Sequence, residues 1–190
     1  MELEIDKKGT ALVVIDLQKG IAAMDRQTAP HSTAKVIENA ARLADAFRKS
    51  GMPVFLVHVS GNENERLRPV ADEQPWSGHG MPKDFSDFVP QIGPMEGDII
   101  ITKRQWGAFY GTDMELQLRR RGIHTIVLCG IATNYGVEST ARFAYEYGYQ
   151  QVFAEDAMAA MSEDAHNNTI NYVFKRIGRV RKTDEILSSM

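Results

Sequence analysis

Asp16 stands directly after Thr10–Ile15, a continuous apolar run rich in β-branched residues. A buried strand reads this way, and a carboxylate at the mouth of such a strand is partly desolvated. Desolvation raises a carboxyl pKa and a neighbouring cation lowers it, so the group can be tuned for proton transfer. A turn or cap aspartate occupies the same kind of place, and position alone does not separate the two. Lys103 stands directly after another such run, Asp98–Thr102. Most lysines are solvated surface charges. If the two strands lie two places apart in one sheet, their ends are separated by roughly 10 Å, a gap that a lysine stem largely crosses. An Asp16–Lys103 pair would then hold a proton relay and a positive charge beside one reacting centre. The third feature is the turn Gly130-Ile131-Ala132-Thr133-Asn134-Tyr135-Gly136, whose last residues open a helix. Backbone N–H groups at a helix start suit an oxyanion or carboxylate, and Gly136 leaves the backbone open to close approach. The same glycines would serve a plain strand-to-helix turn. They do not match G-x-G-x-x-G, so no dinucleotide cofactor is inferred.

These features need a scaffold, and the chain alternates strand and helix patterns. Ser32–Lys49 carries Val36, Ile37, Ala40, Leu43, Ala44 and Phe47 at helical spacing, with Ser32 or Thr33 as cap and Gly51 beyond the end. Pro53–Val59 is a second buried strand and Asp98–Thr102 a third. Thr112–Arg121 is a helix stopped by Gly122. His124–Cys129 is a fourth strand, followed by a helix over Asn134–Tyr147 that Gly148 stops. Gln151–Glu155 is a fifth strand, Ser162–Lys175 a helix, Arg179–Arg181 a short sixth strand, and Thr183 caps a last helix. Residues 60–95, rich in Gly and Pro, read as a long excursion with one short helix near Phe85, either functional or a surface insertion. The alternation implies parallel strands with right-handed crossovers and helices on both faces. In open sheets of this kind ligands bind beyond the carboxyl ends of the strands, where Asp16, Lys103 and the 130–136 turn all stand.

Composition bounds the rest. The 190 residues fit one domain, 1–190, and a content of 43% hydrophobic and 25% charged residues excludes a disordered chain. A net charge of -3 argues against a strongly basic nucleic-acid binder. No apolar run approaches the roughly 20 residues that span a bilayer, and Met1–Asp6 lacks a signal-peptide core. The single cysteine cannot form an internal disulfide, and zinc-type cysteine spacings are absent. The expectation is a cytoplasmic protein with no nucleic-acid or membrane partner.

Ala11–Gln18, Lys103–Phe109 and Cys129–Arg142, together with Glu155-Asp156-Ala157, resemble in order and spacing the isochorismatase-like hydrolase superfamily, also called the cysteine hydrolases. The resemblance covers nearly the whole chain and is weakest over 60–95. Lys103–Thr112 is shared almost intact with an uncharacterised YecD-type branch. The resemblance implies an α/β fold: a three-layer α/β/α sandwich with a Rossmann-like parallel six-stranded sheet of order 3-2-1-4-5-6. It also implies a homodimer or homotetramer with the site near a subunit boundary, and a cis peptide at Ile131–Ala132. Many members use an aspartate, a lysine and a cysteine. Asp16 matches the aspartate and Lys103 the lysine, but Gly136 occupies the cysteine position.

That departure sets the chemistry. Cys129 lies inside an apolar strand, where a cysteine behaves as a small hydrophobe and a thiolate is costly, so it does not replace the missing nucleophile. The Asp-x-His metal segment of nicotinamidases has no match after the second strand, and the lone His58 reads as structural; no metal and no cofactor are expected. Isochorismatases, in which the aspartate works without the cysteine, imply vinyl ether hydrolysis. Protonated Asp16 would protonate the enol ether carbon, a contribution of ~10²–10⁴-fold. Lys103 would support an anionic small-molecule substrate, and the N–H groups of Ala132 and Gly136 would hold its oxygens. Gln18, Trp106, Phe109, Ala132, Thr133 and Tyr135 are assigned to the substrate pocket, with Trp106 and Phe109 alternatively at an oligomer interface. Arg66 or Arg68 could grip a carboxylate or simply belong to a solvated loop. Two alternatives stand beside this reading: a small-amide hydrolase using water as nucleophile, and a binding or scaffold protein without catalysis.

Overall fold

The computed structural model describes residues 3–23, 27–60, 62–65, 67, 69–73 and 81–190. Six parallel strands form one sheet in the order β3-β2-β1-β4-β5-β6: β1 Thr10–Ile15, β2 Val54–Val59, β3 Ile99–Lys103, β4 Thr125–Ile131, β5 Gln150–Ala159 and β6 Arg179–Arg181. This is the expected α/β architecture and strand order. Alternation along β1 explains its unbroken apolar sequence. Leu12 and Val14 face one layer, packing with Val36, Ala40, Leu43 and Phe47 of α2 (Thr33–Lys49). Ala11, Val13 and Ile15 face the other, with Met114 and Leu118 of α3 (Met114–Arg120) and Val137 and Ala141 beneath. A strand covered on both faces has no polar side to show. Ser32 caps α2 by accepting from the Lys35 N–H at 3.3 Å, and Gly51 follows at φ 69.

The structure corrects several boundaries. β4 continues through Gly130 to Ile131, and β5 continues through Glu155-Asp156 to Ala159. The ladder between them shifts register between Leu128 and Gly130. Gly130 has φ 121, and a Cβ there would lie 2.0 Å from the Ile15 carbonyl oxygen. Gly130 and Asp156 read as lying just beyond their strands and Glu155 as a strand's last residue, yet all three are strand interior. Asp156 Oδ1 accepts from the Thr183 N–H and hydroxyl, each at 2.7 Å. Thr183 is therefore the first residue of α7 (Thr183–Ser188) rather than its cap, which is Lys182. β3 includes Lys103 as its last residue. The fourth crossover opens with a π-helical turn, Thr133–Val137, before α4 (Glu138–Glu146). The expected 162–175 helix is α5 (Glu163–Asn168), a π-helical segment Thr169–Phe174 and α6 (Lys175–Ile177). Phe85 lies in turns, not a helix; its ring packs on Gly20 in the unforeseen short α1 (Lys19–Ala22). Among the described residues no helix is long and apolar enough to cross a membrane.

Candidate active site

The sheet order places β3 two strands from β1, and the Lys103 side chain crosses β2 to reach Asp16. Their atoms Nζ and Oδ2 are 2.8 Å apart, with side chains 3% and 6% exposed. Asp16 sits at φ 55, the one positive value outside glycine among the described residues. This conformation, which aspartate tolerates better than most residues, turns the chain at the end of β1 while the Asp16 N–H still donates to Val57 O at 2.9 Å. Lys103 also donates to Gln105 O at 3.2 Å and Trp106 O at 2.9 Å. Its three N–H bonds are thus all engaged, and the lysine fixes the segment after β3 as well as the carboxylate.

Gly136 completes the group. A Cβ at this residue would lie 3.0 Å from Asp16 Oδ2, 3.1 Å from Ile15 Cγ2 and 3.5 Å from Lys103 Nζ. The absent side chain leaves the backbone directly against the ion pair. Gly136 O accepts from Thr140 Oγ1 at 2.7 Å, and that hydroxyl accepts from the Ala108 N–H at 3.1 Å. The turn is thereby tied to the segment whose carbonyls hold Lys103. The Ile131–Ala132 peptide is cis, and Ala132 O accepts from the N–H groups of Tyr135 and Val137 at 3.1 and 3.2 Å. The three residues singled out for catalysis, far apart in sequence, meet at one point.

The residues assigned to the pocket divide. Trp106 and Tyr135 are exposed, with ring centroids 4.9 Å apart at 57°, and Ala132 is half-buried in the turn. The other three turn their side chains to protein partners. Gln18 is fully buried: its Oε1 accepts from the Val59 N–H at 2.8 Å, and its Nε2 donates to Phe85 O at 2.8 Å and Val59 O at 3.2 Å. An amide so saturated is a strut between β1, β2 and the 80s loop. Thr133 is buried with its hydroxyl 2.8 Å from His166 Nδ1. Phe109 is core, against the rings of Tyr147 and Tyr149. Arg66 and Arg68 lie outside the described residues.

Cys129 is fully buried in β4, and burial pushes its thiol far up from the usual range, as a strand hydrophobe requires. His58 spends Nδ1 on Ser86 O at 2.6 Å and Nε2 on the Thr102 hydroxyl at 2.8 Å while stacking on Phe88. Sequence reasoning missed a second polar centre. His31 Nε2 and His166 Nε2 approach Glu155 Oε1 at 2.9 and 3.2 Å, and Lys182 binds Glu155 Oε2. Burial acts to raise the Glu155 pKa, but the hydrogen bonds from His166, Lys182 and His31 outweigh it and hold the carboxyl well below its usual range. No spacing links residues 31, 155, 166 and 182; Glu155-Asp156 inside the resemblance was the one hint.

This fold agrees with the comparisons. Residues 10–185 match the isochorismatase domain, and the chain belongs to the isochorismatase family. It is 51% identical over 99% of its length to the uncharacterized isochorismatase family protein YwoC of Bacillus subtilis, covering 97% of that protein. It is 52% identical over 99% of its length to the corresponding YecD of Escherichia coli O157:H7, covering 100% of it. A probable isochorismatase of Pseudomonas chlororaphis is 29% identical over 96% of this chain and 87% of that one. Among solved structures, an isochorismatase family protein of Burkholderia thailandensis superposes with a TM-score of 0.92 at 40% identity, covering 100% of this chain and 98% of that one. N-carbamoylsarcosine amidase of Thermoplasma acidophilum gives 0.76 at 29%, covering 93% and 97%.

Proposed function

We propose that the chain is a hydrolase of a small substrate that works without a covalent intermediate, with Asp16 moving the proton and Lys103 as its counter-charge. One observation carries this reading: the buried 2.8 Å Asp16–Lys103 contact with the Gly136 backbone laid against it and no side chain between. Lys103 has its N–H bonds committed, so it acts by charge and by holding Asp16 in place rather than by gripping the substrate. The reaction favoured is vinyl ether hydrolysis of an isochorismate-like molecule, in keeping with the similarity to the probable isochorismatase. A substrate carboxylate brought beside Asp16 disfavours a second negative charge and so promotes the protonated acid. Asp16 then gives its proton to the terminal enol carbon, the π electrons forming the new C–H bond. Water adds to the oxocarbenium carbon and returns a proton to the carboxylate. The hemiketal collapses to an alcohol and a keto acid. The N–H groups of Ala132 and Gly136 are assigned to the substrate oxygens. Trp106 and Tyr135 are assigned to the apolar wall, where a second chain of a homodimer or homotetramer would also stand.

Pyruvate release from isochorismate, followed by a coupled assay, tests this. The expected result is turnover by the wild-type chain and loss of at least about 10²-fold in Asp16→Asn. No release by the wild type, or full activity in Asp16→Asn, overturns it. A second reading, hydrolysis of a small amide by a water that Asp16 deprotonates, is favoured by the same ion pair, because a lysine at 2.8 Å stabilises the basic carboxylate form. Ammonia release from N-carbamoyl or simple amide substrates, without keto acid from vinyl ethers, selects it.

A further inference from the structure

We propose that His31, Glu155 and His166 form a binding site for a divalent ion of the zinc class, separate from the Asp16–Lys103 site. Two imidazoles and one carboxylate are the donor set that borderline divalent ions select. Glu155 Oε1 lies 2.9 Å from His31 Nε2 and 3.2 Å from His166 Nε2, and the three ligand atoms all lie within 4.8 Å of one another. Tetrahedral ligands at about 2.0–2.1 Å from an ion stand roughly 3.3 Å apart, so two of the separations already suit one. The third, between the two imidazole nitrogens, is at most 4.8 Å and would have to close toward that tetrahedral spacing on binding.

The ligands are pre-set by the fold. Glu155 sits within β5 and His166 within α5. The loop bearing His31 is clamped to the end of β5 by paired bonds between the Ala29 and Ala160 backbones, both 2.9 Å. Thr28 Oγ1 donates to His31 O at 2.9 Å. His166 is fully buried, and its other nitrogen is held by the Thr133 hydroxyl at 2.8 Å. Metal-ligating histidines are oriented by such a partner on the far ring nitrogen. His31 is half-buried and leaves a solvent side for water as a fourth ligand.

Lys182 sets the condition for occupancy. Its ammonium balances Glu155 through Oε2, and its side chain is 54% exposed. A dication on Oε1 makes that ammonium redundant, and the side chain is free to swing into water. Ion and ammonium therefore compete for one carboxylate. Through His166 and Thr133 a bound ion would brace the turn that carries Gly136. The role is structural, and it stands whichever substrate the Asp16 site takes.

The test is titration of the chelator-stripped full chain with Zn²⁺ by calorimetry and with Co²⁺ by visible absorption, without substrate. Expected are saturable binding of a single equivalent and cobalt bands in the visible. His31→Ala and Glu155→Gln should each weaken binding by about tenfold or more, while Lys182→Ala tightens it. His31 is on a partly exposed loop, so its variant informs even where Glu155→Gln fails to fold. No saturable binding of either ion overturns the proposal, as does affinity that His31→Ala or Lys182→Ala leaves unchanged. The cluster is then a hydrogen-bonded strut alone.

Discussion

Lys103→Met removes one member of the buried pair and nearly preserves its volume. Across 2.8 Å the attraction between unit charges is about 6 kcal/mol at an effective dielectric near ~20, and the cost of drying both groups offsets most of it. Taking the lysine away leaves Asp16 buried without its cation. The expected destabilisation is about 3–5 kcal/mol, with a smaller share from the Gln105 and Trp106 carbonyls that lose a donor. Asp16→Asn leaves the Lys103 ammonium buried without its anion and should fall at the lower end of the same range, about 3 kcal/mol. The amide oxygen still accepts from Lys103, and asparagine tolerates φ 55. The double variant carries no unmatched charge. Its destabilisation should fall short of the sum by about 2 kcal/mol, within the range for groups in contact. Urea unfolding at neutral pH, followed by tryptophan fluorescence and far-ultraviolet circular dichroism, measures all three. A cost below about 1 kcal/mol for Lys103→Met is what an exposed pair gives. That result, or strict additivity in the double variant, would refute the buried ion pair as the organiser of the site.

Gly130→Ala should cost about 3 kcal/mol or more, because the new methyl meets Ile15 O at 2.0 Å and φ is 121; wild-type stability by urea unfolding would be incompatible with the β1–β4 register. The Glu155 carboxyl is held below its ordinary value of 4.5, so its contribution is fully present above that pH. It is lost as pH falls toward the lower folded value. The stability gap between wild type and Glu155→Gln should therefore narrow as pH falls below about 4.5; a gap that keeps widening below that pH contradicts the assignment. Cys129, with its thiol pushed up by burial, should resist thiol reagents in the native protein and react promptly in concentrated urea; fast native labelling would mean that β4 opens to solvent.

Legibility followed the range of each interaction. β1 was readable because burial on both faces writes itself into six consecutive residues, and α2 because its stripe and its Ser32 cap are local. β4 and β5 run past the ends of their local apolar patterns. The Gly130 bulge and the polar Glu155-Asp156 pair look like breaks until the strands and side chains opposite them are in place. Gln18, Thr133 and Phe109 looked like pocket residues because they flank Asp16, Lys103 and Gly136 in sequence. A side chain a few positions away along a strand or turn can point to an opposite surface, and all three point into protein.

By itself the sequence determined the parallel α/β class, the strand order through its family resemblance, and the absence of a thiol at Gly136. These depend on residue type and on periods of two and 3.6, which are local properties. Only the tertiary structure decided that Lys103 spends its donors on Asp16 and two carbonyls, and that His31, Glu155 and His166 converge. Both depend on groups brought within about 3 Å by the crossover topology, and that spacing has no imprint on the order of residues along the chain.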